Sequence, residues 1–277
     1  MRALAHVIIL LLPGVLIPAE ARGAPQRAPA TAPAAGPVLS AAQKQQIGNR
    51  IWQNECAGTI DGLTTWNAGE NFPSLGIGHT IWYPAGVNER FAETFPNMVL
   101  FMRDRGVRVP AWVVPPADCP WADKAAFQRD FQSARMKELR AWLASTIAVQ
   151  TDYLIGRQQA SLPKMLAACP PAGRDAVQAR FTALSQSPEG MFCLIDYVNF
   201  KGEGIKPEER YNGHGWGLLQ VLLEMRGQPQ GQAAAREFAA AADRTLARRI
   251  QNSPPARGEA RWQAGWHNRC MRYSQKF

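Results

Sequence analysis

Apolar residues recur at helical spacing through most of this chain, and the pattern fails in two places. The run "SAAQKQQIGNRIWQNECAG" (40–58) predicts a helix, with a Ser40-x-x-Gln43 capping box at its start and Gly58 after its end. Ile47 and Ile51 mark its apolar stripe, and four residues further along that stripe stands Glu55. The helical period thus puts a carboxyl group where the next buried side chain belongs. From Thr59 to about Pro84 the chain changes to short runs with Gly, Asn and Pro that end in the β-prone "HTIWYP", which predicts a small hairpin or meander. Residues 85–121 are proline-rich and carry no assignable period.

Helical spacing then returns. "ADKAAFQRDFQSARMKELRAWLASTI" (122–147) predicts one amphipathic helix with Phe127, Phe131, Leu139, Trp142, Leu143 and Ile147 on its apolar face. Further helices are predicted around 151–166, over 174–186 up to Ser187-Pro188, and in "MFCLIDYVNF", "GWGLLQVLLEM" and "AAAREFAAAADRTLARRI". No internal repeat is visible. The elements predict an α+β fold, one mostly helical domain with a small sheet near its N-terminal third.

Composition bounds this domain. The chain has 277 residues, 46% of them hydrophobic, enough for one large domain or two small ones with a proper core. Met1-Arg2, the apolar run Ala3 to Pro18 and the small-x-small Ala19-Glu20-Ala21 predict a cleaved secretion signal over residues 1–21, hence a secreted or periplasmic protein. An uncleaved anchor is the rival, but Pro13-Gly14 and Pro18 interrupt a run shorter than the roughly 20 residues a spanning helix needs. No membrane span is expected after cleavage. The first cysteine, Cys56, is far from the cleavage site, which argues against a lipid anchor. Residues 22–39, rich in Ala and Pro, suit an extended tether, so the folded domain should occupy 40–277.

Charge narrows the partner only to a class. The formal net charge is +9, and loss of residues 1–21 would remove Arg2 and Glu20, one charge of each sign. A secreted protein this basic is drawn to polyanions: bacterial cell wall, anionic lipid or nucleic acid. The five cysteines, at 56, 119, 169, 193 and 270, show no zinc spacing, and their odd number leaves at least one thiol over. Cys119 and Cys169 each precede proline and form the candidate disulfide. The four histidines, at 6, 79, 214 and 267, fit no HExxH-type pattern, so neither a catalytic metal nor any other cofactor is expected.

Candidate chemistry concentrates in "NECAGTIDGLTTWNAGENFPSLGIGH" (54–79). The order helix, terminal Glu, small β-region, Ser-Leu-Gly-Ile-Gly-His resembles the lysozyme-like superfamily, most closely the phage-type lysozymes of glycoside hydrolase family 24. In that family a glutamate ends the first long helix, a second carboxylate sits on the hairpin, and a Thr-Ile-Gly-x-Gly-His run follows. The matching positions are Glu55, then Glu70, and Ser74 to His79. "LIDYVNFKGEG" (194–204) is similar to the family's buried helix ending in aromatic-x-Asn-x-Gly, and "GWHNRCMRY" (265–273) to its late Gly-Leu-x-x-Arg-Arg helix. Residues 84–190 have no counterpart and read as an insertion or a divergent helical lobe. Two departures stand out. Ala68 occupies the usual aspartate position six before the threonine, and Ser74 replaces that threonine. Glu70 is the nearest carboxylate, with Asp61 as the fallback.

The resemblance implies peptidoglycan as substrate, and the residues themselves supply a chemical rationale. Cleaving a glycosidic bond needs a protonated carboxylic acid for the leaving oxygen. A glutamate on an apolar stripe is desolvated and so suited to that task. Glu55 is therefore the candidate acid, with Glu70 as second carboxylate and Ser74 as water-holder. Gly76 and Gly78 would let a sugar chain approach the backbone, while His79 would hold the site together by hydrogen bonding. Trp66, Trp82 and Tyr83 are candidate sugar stackers, whereas Trp52, Trp142 and Trp216 are expected in the core. The glycine-rich loop 199–217 lacks GxxxxGK[ST] and the dinucleotide fingerprint. It reads either as a cleft wall offering Asn199, Glu203 and Tyr211 to sugars or as a plain turn between core helices. Arg244, Arg248 and Arg249 are expected on a solvated helix face. The readings left open are a muramidase-type hydrolase, a lytic transglycosylase that needs only one essential carboxylate, and a non-catalytic glycan binder. A basic nucleic-acid or membrane binder rests on charge alone, and no nucleic acid is expected.

Overall fold

A computed structural model describes residues 39–89 and 91–277. The expected signal (1–21) and all of the expected tether except Leu39 lie outside the described residues. Helix α1 (Ala41–Cys56) starts on the expected capping box: the Ser40 hydroxyl accepts from the Gln43 amide at 3.2 Å, and the Gln43 side chain accepts from the Ser40 amide at 2.9 Å. Its end comes one residue earlier than glycine preference suggests, with Ala57 taking the left-handed conformation (φ 52°) ahead of Gly58. Ile47 and Ile51 are fully buried, and the stripe they begin packs α1 against α5 (Ile147–Ala168) and α7 (Pro188–Lys201). Gly48 makes the first contact possible, since a methyl there would stand 2.4 Å from Thr151 Oγ1 and 2.5 Å from Ile147 Cγ2.

The expected meander is a three-stranded antiparallel sheet of two-residue strands, β1 (Thr64–Thr65), β2 (Ser74–Leu75) and β3 (Thr80–Ile81). Ser74 pairs with Thr65 on one side and Ile81 on the other. Gly76 turns the chain out of β2 at φ +73°, and a Cβ there would meet Gln150 Oε1 at 2.5 Å. Gln150, fully buried on α5, uses that oxygen to accept from the Ile77 amide at 3.0 Å. The sheet is thereby bonded directly to the helical body.

The unassigned segment contains α2 (Phe95–Arg103), with Phe95, Val99 and Met102 buried. The single helix expected over 122–147 is broken into α3 (Lys124–Asp130) and α4 (Ala134–Ser145). Ser133 supplies the reason, because its hydroxyl accepts from the Met136 amide at 3.1 Å and restarts the helix as an N-cap. Phe127, Leu139 and Leu143 are buried as the pattern predicts. Helix α6 (Arg174–Ser185) follows, and α7 begins with Ser187 as cap and Pro188 as first helical residue. The loop after α7 forms a two-stranded hairpin, β4 (Arg210–Tyr211) and β5 (His214–Gly215), then α8 (Leu218–Glu224), α9 (Gly231–Asn252) and α10 (Gln263–Arg272). Helix α7 packs on α1, α5, α6 and α9, and α9 on α8 and α10. Buried side chains from Leu39 to Tyr273 form one hydrophobic cluster, so the helices of residues 84–190 share their core with the rest of the domain. The fold is α+β, mostly helical.

Two expectations are corrected here. All five cysteines are free and buried. Cys119 is held beside the strand region by its amide's bond to the Tyr83 carbonyl, whereas Cys169 follows α5 and lies 3.2 Å from the position of a Gly173 Cβ, so the two are tied to different parts of the chain. Arg244 and Arg248 of α9 keep 29% and 37% of their side chains exposed but are not free on that face: both bond Glu224, and Arg244 also bonds Glu237 at 2.7 Å. Among the described residues no helix is long and apolar enough to cross a membrane.

Candidate active site

The last turn of α1 delivers Glu55 to a cleft of about 690 Å³ between the small sheet and the loop that follows α7. Glu70, Ser74, Gly78 and His79 line it from the sheet side, and Asn199 and Glu203 from the end of α7 and beyond. Seven of the residues singled out in the sequence therefore share one concave surface. Its size falls within the range of small-molecule sites.

Glu55 is four-fifths or more withdrawn from solvent, its side chain being 13% exposed. Arg269 of α10 hydrogen-bonds its Oε1, and His79 Nδ1 lies 3.6 Å from its Oε2. The same guanidinium donates to both oxygens of Asp196, Nε to Oδ2 and Nη2 to Oδ1, each at 3.0 Å. Asp196 is fully buried on α7 and also accepts from Tyr273 Oη at 2.6 Å and Asn54 Nδ2 at 3.0 Å. Burial alone would lower the pKa of Arg269, but the attraction of Asp196 and Glu55 outweighs it and holds the guanidinium firmly charged. Two carboxyl groups thus share one cation, and only Glu55 of the two reaches the cleft.

On the same cleft, Glu70 is steadied by a 3.0 Å bond from Asn67 Nδ2, and Ser74 sits at the start of β2. His79 faces both ways: its Nε2 lies 3.5 Å from Cys56 Sγ. Cys56, His79 and Glu55 therefore stand in a row that resembles a thiol nucleophile, base and orienting acid. The thiol is unsuited to that role. It does not line the cleft, and burial, followed by the charge of Glu55, pushes its pKa up to about 12. Cys56 instead packs behind His79, within 3.7 Å of the Gly76 carbonyl.

Opposite, a cationic and aromatic wall closes the cleft. Lys201, the last residue of α7, has its ammonium 3.7 Å from the Trp266 ring centre and 4.0 Å from that of Phe200. Burial first, then the nearby Arg249 and Arg269, bring its pKa down to about 7 despite Glu259. Arg249 lies 4.0 Å over the Trp216 ring and makes two 2.8 Å bonds to Glu259, which is fully buried. Burial would raise the pKa of Glu259, but the bonds from Arg249, Tyr211 and Arg257 prevail and hold it at about 2. Arg249 is thus a buried ion-pair partner and cleft residue, not a solvated one.

No family model matches this chain, and no curated protein or solved structure does either. Its function has to be read from the lining itself. Four glutamates (55, 70, 203 and 209) meet Arg157, Lys164, Lys201, Lys206 and Arg249 there, a mixed and strongly polar surface. Asn199 Nδ2 is buried without a hydrogen-bond partner, a donor available to an acceptor that enters the site. Among the described residues no group of three His, Cys, Asp or Glu could hold a metal ion. The arrangement presents the withdrawn carboxyl of Glu55 to a ligand and offers a polar surface beside Trp216.

Several sequence-based assignments need correcting. Trp66, Trp82 and Tyr83 are core residues: Trp82 stacks 4.8 Å from Phe95, Trp66 meets Phe127 edge-on, and Tyr83 meets Phe72 edge-on. Their polar tips are spent on the carbonyls of Glu70, Ala117 and Phe91, so no face is left for a sugar. Trp216 is buried in the core as expected, and it also borders the cleft. Gly76 makes room for Gln150 and does not line the cleft, whereas Gly78 does line it, and a Cβ there would also strike Leu154 at 2.8 Å. Tyr211 does not line the cleft, and its hydroxyl donates to Glu259 at 2.9 Å behind Trp216. Sequence reasoning missed Asp196, Lys201 and Arg269. The available signal was an acid inside the apolar run "MFCLIDYVNF", because a buried carboxyl requires a partner.

Proposed function

We propose that this protein is a peptidoglycan-cleaving glycosidase of the secreted or periplasmic space, with Glu55 as general acid. The observation that carries the reading is the position of Glu55: a withdrawn carboxyl at the end of α1, on a large polar cleft that Glu70 and Ser74 also line. A glycosidic oxygen in that cleft would take the proton of Glu55, while Glu70 or Ser74 would deliver water to the sugar carbon. The sequence resemblance to phage-type lysozymes supports the same roles and the same polymer.

Hydrolysis requires Glu70 or Ser74 to position water, whereas transglycosylation requires only that a hydroxyl of the substrate attack in its place. One observation favours a non-catalytic glycan binder, namely that Arg269 bonds the carboxyl oxygen a substrate would otherwise meet. Replacement of Glu55 by Gln separates these readings. A catalytic acid predicts a loss of about 10²- to 10⁴-fold in fragment release from purified cell wall with wall binding retained. Release by the variant at the wild-type rate would remove Glu55 from the mechanism.

A further inference from the structure

The β4–β5 hairpin borders two depressions. Glu209 and Trp216 at its ends line the cleft, whereas Arg210, His214 and Gly215 line a separate pocket of about 200 Å³. Arg248 and Thr245 of α9 complete its polar side, and Leu219, Leu223, Ala168 and Pro170 form an apolar side.

Two independent features mark this pocket as a binding site. The first is surplus positive charge. Arg244 and Arg248 are matched by Glu224 and Glu237, so the surplus is Arg210, which lines the pocket and makes no ion pair among the described residues. The second is Thr245, 2% exposed, whose hydroxyl oxygen is buried without a hydrogen-bond partner. Buried hydroxyls are nearly always paired, and one that is not is an available donor for a ligand that fills the space beside it.

We propose that this pocket binds the carboxylate end of a short peptide with small apolar side chains. Arg210 and Arg248 supply charge-assisted hydrogen bonds to the carboxylate, and the Thr245 hydroxyl donates a further one. The leucines, Ala168 and Pro170 cover the methyl groups. The apolar side decides for a peptide end over a bare inorganic anion, which would leave that surface uncovered. The proposal stands independently of the glycosidase reading.

Calorimetric titration of the full chain tests it, with N-acetyl-alanyl-alanine, the same dipeptide as its C-terminal amide, and inorganic phosphate as probes. The free acid should bind at least about tenfold more tightly than the amide, and Arg210→Gln should abolish that difference with an unchanged melting temperature. Thr245→Val should weaken the acid and leave the amide unaffected. Equal binding of acid and amide, no binding of the acid at millimolar concentration, or undiminished binding by Arg210→Gln would overturn the proposal. Phosphate binding more tightly than the dipeptide would overturn its assignment to a peptide end.

Discussion

At the scale of single residues, the cleft is governed by how many carboxyl groups each cation must serve. Arg269 serves Asp196 and Glu55, and Lys201 stands next to two guanidiniums with aromatic rings on its ammonium. The folded protein lowers the pKa of Lys201 from 10.5 to about 7, so between those values the unfolded chain binds more protons there than the native one. This contribution therefore destabilises the fold below about pH 7, and it is relieved as pH rises toward 10.5. Lys201→Met should raise stability at neutral pH by up to a few kcal/mol and flatten the rise between pH 7 and 10, as urea titrations at a series of pH values would reveal. Gly76 gives a different kind of test. Gly76→Ala puts a Cβ at positive φ and against Gln150, and should cost about 1–3 kcal/mol in thermal or urea unfolding. Of the residue-level features, the position of Glu55 was legible because a helical stripe has a fixed period. The Trp66, Trp82 and Tyr83 assignments failed because an aromatic beside a motif shows its neighbours in sequence, not whether the chain leaving a two-residue strand turns it inward.

At the scale of elements, what shapes the cleft is the attachment of short pieces to long helices. The sheet has only two residues per strand and is fastened through Gln150 to α5 and through Arg140 to α4, whose Nε donates to Thr64 Oγ1 at 2.8 Å. The β4–β5 hairpin is fastened through Tyr211 to Glu259, which Arg249 and Arg257 also bond. Because Glu259 has its pKa lowered from 4.5 to about 2, its stabilising contribution is complete above about pH 4.5 and is lost as pH falls toward 2. Glu259→Gln should cost about 3–5 kcal/mol at pH 7, since it strands the largely buried Arg249 without its carboxylate, and the deficit relative to wild type should shrink on acidification toward pH 2. Melting curves at pH 7 and pH 3 distinguish this from a uniform loss. Capping signals located α1, and the restart at Ser133 was written in the chain as well, though an uninterrupted apolar period concealed it. The hairpin was harder to read, because loop 199–217 draws its structure from a partner more than forty residues later.

At the scale of the whole molecule, the buried cluster running from Leu39 to Tyr273 predicts that the described domain unfolds as one cooperative unit. Calorimetric and van't Hoff enthalpies should agree, and two resolved transitions would mean that the helices between residues 84 and 190 form a separable lobe. The α+β class was legible from periodicity and turn chemistry. The joining of α1, α7 and α10 around Asp196 and Arg269 was not, since residues 73 positions apart meet only through tertiary packing. The cleft that results gathers Glu55, Glu70 and Ser74, and the central claim is that this cleft cuts glycan strands. The most direct test is mass spectrometry of soluble material released from purified peptidoglycan by the wild-type protein and by Glu55→Gln, with folding of the variant checked by its melting curve. The account predicts sugar-peptide fragments from wild type alone, with reducing ends for a hydrolase or anhydro ends for a transglycosylase. Absence of such fragments from both proteins, or their equal release by both, would contradict it.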